Sequence, residues 1–294
     1  MKSALVLGLM KIISLLPLGL ARFLGKVMGM AMAAFSSKSF KITLCNLSFC
    51  FSGQSQQANQ QLAKKRMRHL GQAFFETPIL WRKPPKWLQT KIIAVEGEAH
   101  LQEALSNDRG TILLIPHQGN WEVIGLWIAQ QTAMTSLYQP SKIAALDQWI
   151  KHSREKTGAN LVPTNLSGVA ALLKALKRSE TVAILPDQQP SRSGGEFAPL
   201  FGVQALTMTL THNLLNRSNA QAIFCCALRD AGGWRLHFSP ADPSIYQADQ
   251  SESLAAMNAG VESIAALAPE QYQWEYKRFR AQPDGFPPIY SSGI

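Results

Sequence analysis

The chain has 294 residues, of which 46% are hydrophobic and only 16% charged, so it can form one large domain with a sizeable core. The formal net charge is +10, and the whole excess lies in the N-terminal quarter, because ten basic residues precede the first acidic residue, Glu76. A segment that is both basic and apolar is typical of binding to anionic membranes, and no nucleic-acid-binding module accompanies it. We therefore expect a membrane partner and no nucleic acid.

The first 35 residues predict a helix that lies in the membrane interface. Lys11, Arg22 and Lys26 interrupt the apolar run before it reaches 18 uncharged residues. At about 100° per residue the three cations fall on one face of a helix, which we expect to point toward the headgroups, and apolar residues, mostly leucines, fill the other face. Pro17 is expected to bend this helix. A kinked spanning helix remains the alternative, whereas a signal peptide is disfavoured because its apolar core would not carry three cations.

Strand and helix patterns then alternate along the chain. Predicted strands lie at 92–97, 111–116, 134–138, 181–186, 221–228 and 234–239, and predicted helices at 57–81, 121–131, 142–157, 165–179, 205–218 and 251–267. The polar stretch 187–202 is taken as a long loop. This alternation predicts an α/β fold, with a mainly parallel or mixed central sheet flanked by helices. We divide the chain into a membrane-associating segment, residues 1–41, and one catalytic domain, residues 42–294.

The stretch PHQGNWE, residues 116–122, follows a buried strand and carries the chemistry. His117 stands at the carboxyl end of that strand, where α/β sheets usually hold their sites. Asn120 is a plausible N-cap for the next helix, so Glu122 lies in its first turn. We expect Glu122 to accept a hydrogen bond from one imidazole nitrogen. The other nitrogen is then free to take a hydroxyl proton near neutral pH.

Other chemistries have less support in the sequence. No Ser, Cys or Thr stands beside His117, so we expect no covalent intermediate on the protein. No GxSxG or HExxH motif and no His/Cys cluster occurs, so neither a metal nor a cofactor is expected. A purely structural histidine remains the alternative, because a His-x4-Glu spacing often arises by chance.

The stretch TILLIPHQGNWEV resembles the His-x4-acid block of the bacterial lipid A biosynthesis acyltransferases, which belong to the lysophospholipid acyltransferase superfamily. Further stretches resemble the other blocks of this family in the same order: NLSFCF, YQP with Asp147, Arg154 and Gly158, LPDQQP, GGEFAPLFG and PEQYQWEYKRF. The resemblance covers nearly the whole chain, including its apolar, basic start.

This resemblance implies that His117 is the general base and Glu122 its partner. The base would deprotonate a hydroxyl of a lipid A precursor, which attacks an acyl thioester of acyl carrier protein or, alternatively, of coenzyme A. The implied location is the cytoplasmic face of the inner membrane. The substrate region would be lined by Asn120, Arg154, Asp187, Gly195, Phe201 and Gly202, and Arg154 would hold either a phosphate or Glu122.

Departures from the family pattern concern the acceptor more than the reaction. The family usually has Arg where Gln139 stands and His where Tyr276 stands. Another membrane glycolipid or a phospholipid therefore remains an alternative acceptor, and a non-catalytic lipid-binding homologue is a further alternative. The basic residues of 64–68 are a candidate docking site for the acidic carrier protein, and the alternative is a solvated helix face.

Overall fold

A computed structural model describes residues 2–290 of the chain, with side chains from residue 4 onward. The strands are β1 Ile92–Glu96, β2 Thr111–Leu114, β3 Met134–Tyr138, β4 Ala159–Pro163, β5 Thr181–Ile184, β6 Gly195–Leu200, β7 Val203–Met208, β8 Gln221–Asp230 and β9 Gly233–Pro240. The α-helices are α1 Lys2–Ser14, α2 Leu18–Ala34, α3 Lys38–Cys50, α4 Gln56–Arg82, α5 Pro85–Gln89, α6 Glu98–Ser106, α7 Trp121–Ile128, α8 Ala144–Glu155, α9 Leu166–Lys177, α10 Leu210–Arg217 and α11 Gln250–Leu267.

Seven strands of the described chain form one sheet in the order β1-β9-β8-β2-β5-β3-β4. Neighbouring strands are parallel except β8 and β9, which form an antiparallel hairpin. Every residue of the central strands β2 and β5 is buried, because apolar clusters cover both faces of the sheet. The predicted α/β fold with a mainly parallel, mixed sheet is confirmed.

One predicted loop contains a strand instead. Within the stretch 187–202, β6 pairs with β7 as an antiparallel hairpin, and the helix expected from residue 205 begins only at Leu210. Phe201 and Gly202 form the two-residue turn, with φ of 50° and 74°. Positive φ at both positions is typical of a type I′ turn, in which Asn or Asp usually takes the first place. Because Phe201 stands there, the sequence lacked the usual hairpin signal.

The N-terminal helices break where the sequence predicts and pack closely on the domain. Pro17 separates α1 from α2, as expected. Helix α2 buries Gly25 and Gly29 against α4, where a Cβ on Gly29 would stand 2.1 Å from the Met67 carbonyl oxygen. The facing residue, Gly71, leaves equally little room for a side chain. The Gly-x3-Gly spacing of α2 therefore serves an intramolecular helix crossing.

Among residues 2–290, the length and apolar composition needed to cross a membrane occur in no single helix. Helices α2 and α3 together meet both criteria, although a bend of 74° separates them. The proposed division between residues 41 and 42 falls inside α3, and it stays a prediction.

Candidate active site

His117 and Asp187 meet because β2 and β5 are neighbouring parallel strands in matching register. Leu114 of β2 pairs with Ile184 of β5, and each of the two site residues follows three positions later. Asp187 Oδ1 lies 2.7 Å from His117 Nδ1, and Oδ2 accepts the His117 backbone N–H at 2.8 Å. One carboxylate therefore fixes both the ring and the backbone of the histidine.

Glu122 does not make the contact that the sequence predicted. Its carboxylate binds the Arg154 guanidinium, at 3.2 Å from Nε and 2.5 Å from a terminal nitrogen. The prediction that Glu122 orients the imidazole is therefore wrong. The strand register places Asp187 beside the ring, whereas the first turn of α7 directs Glu122 toward α8. Both His117 and Glu122 nevertheless line the same cavity.

Asp187 is a buried carboxylate that stays ionised. Burial opposes its negative charge, but the charge of His117 and two hydrogen bonds from that residue outweigh burial, so the pKa of Asp187 lies below its ordinary value. Behind it, burial and the Asp187 charge raise the pKa of Tyr272 well above the usual range, which keeps the phenol protonated. An anionic Asp187 can only accept at Nδ1, so in the neutral ring it favours the tautomer whose proton lies on Nδ1.

A cavity of about 460 Å³ extends from His117 between the sheet and helices α7 and α8. At its polar end the Arg154 guanidinium stacks between two rings, 4.9 Å from the centre of Trp121 and 5.4 Å from that of Tyr138. The interior is apolar, with walls formed by Ile115, Leu126, Met134, Leu137, Ile150 and Leu161. An apolar pocket with a few polar groups at one end is typical of a site for a long-chain substrate. A larger groove, about 870 Å³, lies between α11 and the end of β9 and does not include His117.

The remaining residues of the predicted substrate region lie off this cavity. Asn120 occupies the predicted N-cap position, but its amide donates to Glu76 at 3.1 Å instead of capping α7. Gly195 begins β6, where a Cβ would collide with the ring of Pro190. Phe201 packs behind Asp187, next to Gly202 in the hairpin turn. Their assignment to substrate stays a prediction.

Two glutamines that sequence reasoning missed complete the surroundings of the His117 ring. The Gln188 amide nitrogen lies 3.1 Å from His117 Nε2 and 3.0 Å from Gln273 Oε1. Gln273 also donates its backbone N–H to the His117 carbonyl at 3.0 Å. Gln188 follows Asp187 directly, so both ring nitrogens are contacted by successive residues at the end of β5.

A second buried carboxylate, Glu76 on α4, joins four parts of the chain. Arg229 of β8 donates to it at 2.7 and 2.8 Å, and Arg22 of α2 donates at 2.6 Å. Burial raises the pKa of Glu76, but the two guanidinium charges outweigh that effect and bring it below the ordinary value. Arg22 also binds two carbonyls of the β8–β9 turn. The expectation that Arg22 lies on a headgroup-facing side is wrong, because this cation is used inside the protein.

Within residues 2–290, no group of three or more His, Cys, Asp or Glu side chains is arranged as metal ligands. Cys225 and Cys226 are buried free thiols on β8, and burial raises the pKa of Cys226 to about 12. These thiols therefore stay protonated and pack as small apolar groups.

Comparisons with known proteins all point to the same enzyme family. The family model described as bacterial lipid A biosynthesis acyltransferase matches residues 2–281. The chain is 29% identical to the lipid A biosynthesis palmitoleoyltransferase of Escherichia coli K12 over 278 residues, which cover 94% of this chain and 90% of that protein. It is 28% identical to the lauroyltransferase of the same organism over 291 residues, covering 97% and 93%. The myristoyltransferase is 22% identical over 269 residues, covering 90% and 80%.

Proposed function

Because the chain belongs to the family of bacterial lipid A biosynthesis acyltransferases and is an acyltransferase, we propose that it acylates a hydroxyl of a lipid A precursor, with His117 as the general base. The observation that carries this proposal is the setting of the imidazole. One ring nitrogen bonds a buried carboxylate, and the ring lines an apolar cavity that suits an acyl chain. We retain another membrane glycolipid or phospholipid as the alternative acceptor.

The proposed step needs no nucleophile from the protein. The lipid hydroxyl gives its proton to His117 Nε2 while its oxygen forms a bond to the thioester carbonyl carbon. The carbon–sulfur bond then breaks, and the leaving thiolate takes the proton from the imidazolium. Asp187 stabilises the imidazolium through Nδ1, as carboxylates do beside other catalytic histidines. Glu122 contributes by holding the Arg154 guanidinium at the cavity, and we propose that this cation binds a phosphate of the acceptor.

The direct test is an assay of acyl transfer with purified full-length protein in detergent. Labelled lauroyl thioesters of acyl carrier protein and of coenzyme A would each be incubated with a lipid A precursor and with a glycerophospholipid. Transfer to the lipid A precursor alone supports the proposal. Transfer to the glycerophospholipid alone selects the alternative acceptor, and no transfer with any pair favours a non-catalytic homologue.

The cavity suggests where acyl chain length is selected. Gly125 lies on α7 in the cavity wall, and a Cβ built on it meets no atom within 4 Å. We expect Gly125→Leu to fill this space and to shift donor preference toward shorter acyl chains. If the new side chain excludes several methylenes of a long acyl chain, the transfer rate with that donor should fall by about tenfold or more relative to the rate with a shorter donor. The check is a series of acyl thioesters of increasing length, in which the shortest donor serves as the internal control and an unchanged profile contradicts the assignment.

We propose that the protein binds the cytoplasmic face of the inner membrane through its N-terminal helices. Lys11 and Lys26 are exposed on these helices, where their positive charges favour contact with anionic headgroups. Apolar side chains stay exposed along α1, α2 and the break between them: Leu5, Leu9, Ile12, Leu15, Leu20, Phe23, Val27 and Met30. Exposed apolar area of this extent on a folded protein is typical of an interaction surface.

Replacing Phe23, Val27 and Met30 together by serine is expected to weaken membrane binding. Each buried apolar side chain contributes roughly 1.5 kcal/mol or more, so the triple variant should lose about 1,000-fold or more in partitioning. Flotation with vesicles containing phosphatidylglycerol measures this. A matched variant that replaces Leu166, which is 88% exposed on α9, should float like the unaltered protein. Equal flotation of the triple variant contradicts the proposed surface.

We propose that exposed cations on α4 bind the acidic carrier protein. Lys64, Lys65 and Arg68 are exposed, whereas Arg66 is buried in an ion pair with Glu275 at 2.7 Å and takes no part. Changing the three exposed residues to glutamate should raise KM for the carrier-linked donor severalfold, because opposite charges steer association. KM for the coenzyme A thioester is the control and should stay constant. Equal changes for both donors contradict a specific dock.

A further inference from the structure

We propose that Gln188 is a displaceable cap on the catalytic base, which keeps water from His117 until the lipid hydroxyl takes its place. This inference rests on the proposed function, since it concerns the nitrogen that we assign as the base. It makes Gln188 a residue that decides between two acceptors, the lipid alcohol and water.

The cap is defined by two hydrogen bonds of one amide group. The Gln188 nitrogen lies 3.1 Å from His117 Nε2 and 3.0 Å from Gln273 Oε1. An amide nitrogen carries two hydrogens and the Gln273 oxygen can only accept, so the nitrogen donates one hydrogen to each partner. The imidazole must then accept through Nε2, which agrees with an Nδ1 proton donated to Asp187.

In this arrangement the lone pair of the base is occupied. A nitrogen that already accepts a hydrogen bond from Gln188 is not free to take a proton from a water molecule in the cavity. Gln273 is itself anchored, because its backbone N–H binds the His117 carbonyl at 3.0 Å. Moving the cap therefore breaks two neutral hydrogen bonds of the Gln188 amide.

The lipid acceptor and water differ in what they offer for this displacement. A lipid brings binding energy from its headgroup and chains, which can offset the lost hydrogen bonds of the cap. A single water molecule brings no such remote contacts. Without the cap, water would give a proton to Nε2 and its oxygen would attack the thioester carbonyl. The carbon–sulfur bond would break, the thiolate would take the proton back from the ring, and a free fatty acid would result.

The experiment measures hydrolysis and transfer in the same reaction. Full-length protein in detergent is given lauroyl-acyl carrier protein and a lipid A precursor, and free laurate is compared with acylated lipid. Gln188→Ala should raise the ratio of hydrolysis to transfer roughly threefold to tenfold, the equivalent of one ordinary hydrogen bond. Gln273→Leu, which releases the far side of the cap, should raise it less. Gln204→Ala, at an exposed position of β7, is the matched control and should leave the ratio unchanged.

The ratio is insensitive to partial misfolding, because inactive molecules lower both products equally. An unchanged ratio in Gln188→Ala, or an equal loss of both products, overturns the cap while leaving the base assignment intact. Transfer that survives in His117→Ala overturns the base assignment itself, so the two failures are distinguishable.

Discussion

Replacing His117 by alanine is expected to lower the rate of acyl transfer by a factor of about 10² to 10⁴, the usual contribution of a general base. The substitution removes the imidazole that bonds the buried Asp187 carboxylate through Nδ1 and lines the apolar cavity, and with it the proposed proton acceptor, Nε2. KM for the donor should change little, since the proposed site for the acyl chain is formed by the apolar walls of the cavity. Steady-state kinetics with a labelled acyl thioester measure both parameters. A transfer rate within tenfold of the original would falsify the assignment of the base.

Two further substitutions separate the roles of the neighbouring acids. Asp187→Asn should lower kcat nearly as much as loss of the base, because the amide no longer stabilises an imidazolium and favours the wrong tautomer. Glu122→Gln keeps the shape of a group that bonds Arg154 rather than the ring, so it should affect kcat less and KM for the acceptor more. The reverse order of effects would restore Glu122 as the orienting acid.

Replacing Glu76 by glutamine is expected to destabilise the fold by about 3–5 kcal/mol, because it leaves the buried Arg229 and the partly buried Arg22 without their shared counter-ion. Arg22 and Arg229 both depend on this carboxylate. The matched control is Glu155→Gln, which breaks an exposed pair with Lys151 at 3.7 Å and should cost at most about 1 kcal/mol. Urea unfolding of both variants in detergent gives the comparison. Equal stability of the two variants contradicts a structural role for the buried cluster.

The same carboxylate predicts how stability depends on pH. The folded pKa of Glu76 lies below its ordinary value, so its ionised form favours the folded state. That contribution is complete above the unfolded pKa of about 4.3 and is lost as the pH falls through the lower folded value. The unaltered protein should therefore lose more stability on acidification than Glu76→Gln does. The check is the free energy of urea unfolding measured as a function of pH, and parallel curves for the two proteins contradict this expectation.

Regular elements were predictable where one physical signal dominated. Strand β3 was predicted with its observed bounds, because MTSLY is a short segment with strand-favouring Thr and Tyr, and the turn-forming QPS follows it. The break at Pro17 followed from the missing N–H of proline. The hairpin of β6 and β7 was missed because Phe201 occupies the turn position where Asn or Asp would have indicated a hairpin.

The Asp187 contact depends on strand order, which local periodicity does not reveal. The sequence nevertheless contains a usable sign, since TILLIPH and TVAILPD share one pattern of apolar residues, proline and a final polar group. Aligning the two strands would have placed His117 beside Asp187. No comparable sign linked Arg22 to Glu76. The two residues are 54 positions apart on different helices, and an ion pair at that separation leaves no local sequence pattern.

The packing of α2 changes how the protein should be expressed and purified. Gly25 and Gly29 leave no gap between this helix and α4, and Arg22 supplies one of the cations on Glu76. Truncation ahead of α3 would therefore expose a face of α4 and remove one of the two arginines that bind the buried Glu76 carboxylate. The apolar N-terminal helices are part of the folded unit, so removing them is expected to yield an aggregating fragment rather than a soluble enzyme.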